Sequence, residues 1–219
     1  VKQIAGDKIQ LTGLMGPGVD PHLYEPIPSD GIALSEADLI FYNGLFLEGQ
    51  MTSDLKTQGG IDFGSTVSEG QLKGQKSHPD PHIWGNAEIW EGCVPLVVKE
   101  LSDADPQNSS HYRERGDHLI EVLRDLHQWS RSRVESLPEE YRILITSHDA
   151  FEYFGEAYGF KVVALQGIST VTEAGIAERV NLVDFIKENQ IKSIFVESSV
   201  SPEAIKSIAE DSGAKIGGE

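Results

Sequence analysis

The feature that most constrains the fold of this chain is a long amphipathic helix that we predict near its middle, over residues 110–137. Apolar residues recur there every three to four positions among mostly charged neighbours, at Leu119, Val122, Leu126, Trp129 and Leu137. This spacing gives a solvent-facing helix one apolar stripe. At 1.5 Å per residue, roughly 28 residues extend about 42 Å, which is enough to cross a whole domain. Pro138 ends the pattern because proline cannot continue a helix.

The long helix divides the chain into three parts. We expect an N-terminal α/β lobe at residues 1–107, a connecting helix at 108–138 and a C-terminal α/β lobe at 139–219. In both outer parts, short β-branched runs alternate with helical patterns, which is typical of parallel α/β units. The predicted strands are 8–15, 38–43, 142–146, 161–165 and 192–197. The predicted helices are 47–57, 87–101, 151–158, 176–189 and 202–211, and residues 65–81 are predicted as a loop. The fold class is therefore α/β, with two lobes of mostly parallel sheets joined by one long rigid helix.

The charge and cysteine content exclude several classes of protein. The chain carries 18 basic and 35 acidic residues, a net charge of −17, which argues against binding nucleic acid. An acidic surface favours cations, although solubility alone would explain the same charge. Its one cysteine, Cys93, can form neither an internal disulfide nor a cysteine-rich zinc site, and we expect it to be a small packed residue. No run of about 18 apolar residues predicts a membrane span.

Three of the seven histidines stand apart from the others by their surroundings. His22 and His82 each lie in the pattern Asp-Pro-His-aliphatic-aromatic, where proline restricts the backbone before the histidine. A rigid loop suits a residue that must hold a metal ion in place. His148 follows the predicted strand 142–146, and ligands of open α/β sheets bind at such strand ends. Single histidines are more often packed or surface residues than ligands, so the pattern alone leaves both interpretations open.

The remaining histidines and the common enzyme motifs give no competing site. His78 precedes His82 by four residues, but Pro79 and Pro81 exclude a regular helix there, so we do not assign it to a metal. The other three, which lie on the charged helix, are predicted to be solvated: His111, His118 and His127. The zinc-protease, nucleophile-elbow, phosphate-loop and dinucleotide-binding motifs are absent from the sequence.

Several stretches, in the same order along the chain, resemble one known family. They include GPGVDPHLYEPIPS at 16–29, DLIFYNGLFLEG at 38–49, DPHIW at 80–84, TSHDAFEYFGEAYG at 146–159, LQGISTVTE at 165–173 and IFVESSVS at 194–201. With them the chain resembles the metal-binding subfamily of solute-binding proteins of bacterial ABC transporters, which serve manganese, zinc and sometimes iron. The resemblance implies one divalent metal ion, Mn²⁺ or Zn²⁺, between the lobes. Its ligands would be His22 and His82 from the N-terminal lobe and His148 from the C-terminal lobe.

The resemblance also implies where the protein works and with what. It implies a transport protein without enzymatic activity, located outside the cytoplasm. It would be periplasmic, or a lipoprotein anchored on the outer face of the cytoplasmic membrane. Its partner would be the membrane permease of an ABC importer, with no nucleic acid, and we expect a monomer.

The sequence departs from the family pattern at two places. The family's fourth ligand is an acidic residue shortly after a Gly-Gly-Glu-like segment, and this chain stops at Gly217, Gly218 and Glu219. We therefore assign no fourth ligand, leave Glu219 unassigned, and expect a fragment trimmed at both ends, with an incomplete C-terminal lobe.

The second departure is that the histidine-rich loop that often precedes the second histidine of zinc-specific members is missing, because the segment at 70–81 is short. That favours manganese as the physiological metal, whereas imidazole ligands favour zinc in affinity.

Two alternatives to capture for transport remain open. Three histidines with an open fourth position could activate water in a metallohydrolase. An adhesin-like surface protein, in which the metal is secondary, would bind host proteins independently of His22 or His148.

Overall fold

The computed structural model describes residues 1–218 and contains the long helix predicted from the sequence. This helix, α6 (Ser109–Glu135), has 27 residues, so at 1.5 Å each it extends about 40 Å. It buries Tyr112, Gly116 and Leu123 against the N-terminal lobe. The predicted stripe is wrong for Val122, Leu126 and Trp129, which are 46%, 46% and 57% exposed. These three residues are exposed because α6 packs against its neighbouring helix through a different face. Gly116 lies on that face, and an added Cβ there would lie 2.4 Å from Val98 Cγ2.

The N-terminal lobe is mostly helical around one small parallel strand pair. Its helices are α1 (Lys2–Ala5), α2 (Pro28–Glu36), α3 (Thr52–Thr57), α4 (Ala87–Glu91) and α5 (Val94–Ala104). Its strands are β1 (Phe41–Tyr42), β2 (Ile61–Asp62), β3 (Gly74–Gln75) and β4 (His78–Pro79). Strands β1 and β2 pair in parallel, whereas β3 and β4 form an antiparallel hairpin inside the segment that was predicted as a loop.

Two predictions for this lobe are wrong. Residues 8–15 form no strand; they belong to an irregular stretch that lasts until α2 begins at Pro28. No described strand pairs with them, and Leu11 is exposed, so the apolar residues of this segment do not enter a sheet. The single helix predicted over 87–101 is interrupted between α4 and α5, at Gly92 and Cys93. Cys93 is buried and packed, as predicted.

The C-terminal lobe follows the sequence prediction closely. Its strands are β5 (Ile143–His148), β6 (Lys161–Gln166), β7 (Ser193–Phe195) and β8 (Lys215–Gly218). Its helices are α7 (Glu152–Tyr158), α8 (Ile176–Glu188) and α9 (Glu203–Ser212). The pairs β5–β6 and β7–β8 are parallel, and β5 also lies close to β7. Helix α9 begins one residue after the predicted start, with Pro202 in the cap position and no side-chain hydrogen bond there.

The two lobes have separate hydrophobic cores. One core consists wholly of residues from Ile145 to Ala209, and another wholly of residues from Ile4 to Leu123. A third cluster joins the lobes, because Tyr153 of α7 packs among Ile83 and Cys93 of the N-terminal lobe. The mostly parallel α/β class is confirmed, while the boundaries at residues 107 and 138 stay a prediction. Within residues 1–218, no helix is both long and apolar enough to cross a bilayer.

Candidate metal centre

The structure brings together the three histidines singled out by the sequence. One ring nitrogen of each of His22, His82 and His148 lies within 4.8 Å of the others, and the residues are 9%, 2% and 5% exposed. His22 lies in the irregular stretch before α2, His82 just before a short 3₁₀ turn, and His148 at the end of β5. No other group of three potential ligands occurs among the described residues, and His78 is exposed on β4, outside the group.

The distances within the cluster fit one small metal ion. His82 Nε2 lies 3.2 Å from His22 Nε2 and 3.2 Å from His148 Nε2. Two nitrogens bound to a tetrahedral zinc ion at about 2.0–2.1 Å would be about 3.3 Å apart. The three rings meet edge-on rather than stacked, with interplanar angles between 60° and 83°. The nitrogens therefore converge on one point, as ligands of a shared ion do.

His82 is the most firmly held of the three. Asp80 Oδ1 accepts a hydrogen bond from the His82 backbone N–H at 2.9 Å and contacts His82 Nδ1 at 2.7 Å. A carboxylate at Nδ1 keeps a proton on that nitrogen, so the lone pair of Nε2 points into the cluster. The loop itself is tied down because Tyr153 Oη donates to the Asp80 carbonyl at 2.9 Å and Asn43 Nδ2 donates to the Pro81 carbonyl at 2.9 Å.

His148 is held by Glu197, in the loop that follows β7. The backbone N–H groups of Ser147 and His148 both donate to Glu197 Oε1 at 3.1 Å. The other carboxylate oxygen, Oε2, lies 2.5 Å from His148 Nδ1, although it is out of line for a regular hydrogen bond. Sequence reasoning did not assign Glu197 to the site. The available signal was its position two residues after the apolar strand β7, which lies close to β5.

His22 differs electrostatically from an exposed histidine. Burial, followed by electrostatic repulsion from His82, lowers the pKa of His22 to about 4, and Asp20 offsets the effect only in part. The ring is therefore neutral at physiological pH, which is the form that binds metal. Nearby, burial and the negative charge of Glu152 raise the pKa of Asp149 to about 6.

The aromatic residues that follow the two Asp-Pro-His motifs have different roles. The Trp84 ring lies 5.2 Å from the His82 ring, edge-on, and is partly exposed at the rim of the cluster. Tyr24 turns elsewhere, because its hydroxyl donates to Asp30 Oδ2 at 2.7 Å near the start of α2. The shared motif thus covers only one of its two histidines with an aromatic ring.

Two α/β lobes joined by a long helix, with a buried histidine cluster where the lobes meet, define a solute-binding protein with a metal site. A family model described as ZnuA, zinc-uptake complex component A, periplasmic, matches residues 1–218. The chain belongs to this family.

Individual relatives agree with this assignment. The manganese-binding lipoprotein MntA of Bacillus subtilis is 41% identical over 220 residues, which cover 98% of this chain and 71% of the relative. The solved structure of the periplasmic zinc-binding protein TroA from Treponema pallidum has a TM-score of 0.96 at 36% identity, covering 100% of this chain and 82% of that one. The laminin-binding protein Lmb of Streptococcus agalactiae, described as bifunctional with adhesin and metal-transporting activity, has a TM-score of 0.87 at 25% identity, covering 98% and 82%.

Proposed function

We propose that this protein captures one divalent transition-metal ion, Mn²⁺ or Zn²⁺, through His22, His82 and His148 and delivers it to the membrane permease of an ABC importer. The observation that carries the proposal is the convergence of three buried Nε2 atoms at ion-binding spacing. Relatives named for manganese and for zinc binding support the two metals. The location is extracytoplasmic, as for the relatives named lipoproteins, and we expect a monomer.

Capture follows from how the cluster is built. His82 and His148 each have a carboxylate at Nδ1, so their Nε2 atoms are oriented before the ion arrives. His22 is neutral and completes the set of donors. Because His22 and His82 belong to one lobe and His148 to the other, the ion cross-links the lobes. The metal-loaded protein would then dock on the permease.

The choice between the two metals has a chemical and a biological part. Three imidazole nitrogens bind zinc more tightly than manganese, following the usual order of divalent metals. A higher zinc affinity in vitro would therefore not exclude manganese as the transported ion. The absence of a histidine-rich loop before His82 favours manganese as cargo, whereas the ligand set favours zinc in affinity.

Adhesion is a second candidate function, favoured by the similarity to Lmb. It predicts binding to immobilised laminin that persists in a His148→Ala variant. A metallohydrolase has less support, because the matched family is described as a zinc-uptake component and Lmb as having metal-transporting activity.

Metal content tests the capture proposal. The full chain is purified without chelator, incubated with Mn²⁺ or Zn²⁺, desalted and measured by mass spectrometry. We expect about one ion per chain for the wild type and almost none for His148→Ala. His118→Ala is the matched control, because the His118 side chain is 77% exposed on α6. A His148→Ala variant that retains its metal would refute the proposal.

A further inference from the structure

We propose that Thr170 is a positioning residue of this metal site, which acts on His22 through Asp20 from the opposite lobe. The proposal rests on the proposed capture function. Thr170 Oγ1 donates a hydrogen bond of 2.6 Å to Asp20 Oδ2, although the two residues are 150 positions apart. Thr170 lies between β6 and α8 and is 7% exposed. Asp20 lies two residues before His22.

The proposal starts from a difference between the two Asp-Pro-His motifs. In both, one carboxylate oxygen of the aspartate accepts from the backbone N–H of the histidine at 2.9 Å, so both motifs make the same tight turn. That oxygen of Asp80 also holds the ring of His82, at 2.7 Å. Asp20 has no such contact with the His22 ring, and its second oxygen accepts from Thr170 instead. Identical sequence motifs therefore rely on different supports.

The support from Thr170 matters because the His22 segment has little regular structure. Residues 7–27 contain neither helix nor strand. The N-terminal lobe backs this segment at Gly49, where an added Cβ would lie 2.9 Å from the His22 carbonyl oxygen. On the other side, the Asp20 carboxylate joins the His22 N–H to the C-terminal lobe. A short hydrogen bond from a hydroxyl to a carboxylate is stronger than a hydrogen bond between two neutral groups.

A cross-lobe hydrogen bond of this kind places His22 relative to His148. Without the Thr170 hydroxyl, Asp20 would keep its bond to His22 N–H but lose its tie to the C-terminal lobe. His22 Nε2 would then be less well aligned with the other two nitrogens. An ion that needs all three nitrogens would leave faster, by about tenfold, as expected for losing one hydrogen bond to a charged group.

The test compares Thr170→Val with Thr170→Ser in the full chain. Valine has nearly the shape of threonine without the hydroxyl, and serine keeps the hydroxyl. Each variant is loaded with Zn²⁺ and mixed with excess chromogenic chelator in a stopped-flow instrument. We expect zinc release to be about tenfold faster for valine and within about twofold of wild type for serine. Melting of the metal-free proteins shows whether either variant fails to fold.

A double variant shows whether the effect passes through Asp20. In an Asp20→Ala background, Thr170→Val should add no further acceleration, because its partner is already gone. Wild-type release rates in Thr170→Val, failure of serine to restore slow release, or independent effects of the two substitutions would each overturn the proposal. If the wild type binds no zinc, the capture function fails; if it binds zinc and Thr170→Val releases it normally, only the positioning role fails.

Discussion

At the scale of single residues, the proposed metal centre has three histidines with three different kinds of support. His82 is held by Asp80 of its own motif, His148 by Glu197 in the loop after β7, and His22 by contacts to its backbone. Carboxylates behind metal-binding histidines fix the tautomer and the ring orientation and raise the basicity of the ligand nitrogen. Substitutions of these supporting residues should therefore lower metal affinity without removing a ligand.

Asp80→Asn is expected to weaken zinc binding by about 10- to 100-fold, the range measured when such outer partners are replaced. Asparagine can still accept from the His82 N–H, but it removes the negative charge that contacts His82 Nδ1. The measurement is a competition titration against a chelator of known affinity. Asp54→Asn, on the exposed surface of α3, is the control and should bind as wild type. Equal affinities for both variants would show that Asp80 does not support the site.

The lowered pKa of His22 predicts a pH dependence in the metal-free protein. The pKa of His22 is about 4 in the folded protein and ordinarily 6.5, so as the pH falls the unfolded chain takes up a proton here before the folded protein does. This contribution to the free energy of unfolding is complete above about pH 6.5 and is lost as the pH falls towards 4. Histidine ring NMR, assigned with a His22→Gln variant, should give a midpoint near 4. A midpoint between 6 and 7 would contradict the burial argument.

At the scale of secondary-structure elements, the site depends on how strand ends and loops meet. The sequence could predict His148 at a strand end, because β5 has a clear apolar pattern. It could not predict Glu197 as a support, since nothing local to 192–197 states that β7 lies beside β5. His22 and His82 were also predictable, because the signal for each motif is contained in a few adjacent residues. The irregular course of residues 8–15 was not predictable, because strand formation requires a pairing partner that the sequence does not specify.

Gly49→Ala tests how the N-terminal lobe backs the His22 loop. Gly49 has a φ of +45° and approaches the His22 carbonyl, whereas Gly59 has a φ of +75° and no atom within 4 Å of an added Cβ. Alanine at either position should cost about 1 kcal/mol or more in folding free energy, because φ is positive. Only Gly49→Ala should also weaken metal binding, since the new methyl group pushes on the backbone of a ligand. Denaturant unfolding and metal titration measure the two effects, and equal metal affinities would refute the loop argument.

At the scale of the whole molecule, the lobes are fastened near the metal site as well as through α6. Tyr153 is fully buried in the cluster shared by the lobes, and its hydroxyl contacts the Asp80 carbonyl and the Lys73 N–H. Tyr158, also on α7, accepts a hydrogen bond from the Ala87 N–H at 3.3 Å. The sequence predicts the long helix from its periodicity, but it does not reveal this second connection, because the tyrosines of α7 look like ordinary helix residues.

Because α7 and α6 both join the lobes, metal binding should change the shape of the molecule little. We expect the radius of gyration from solution scattering to change by less than about 1 Å when Zn²⁺ is added, as in preorganised complexes. A large contraction would mean that the lobes close on each other by a hinge motion and that the α7 contacts do not hold them in place. Scattering from His148→Ala with and without Zn²⁺ controls for nonspecific effects of the ion.

The measurement that tests the central claim most directly is anomalous diffraction from crystals of the protein loaded with Zn²⁺ and, separately, with Mn²⁺. The account predicts one strong anomalous peak between the lobes, which for zinc lies about 2.0–2.1 Å from the Nε2 atoms of His22, His82 and His148. A principal peak elsewhere, or an ion bound without His148, would contradict it.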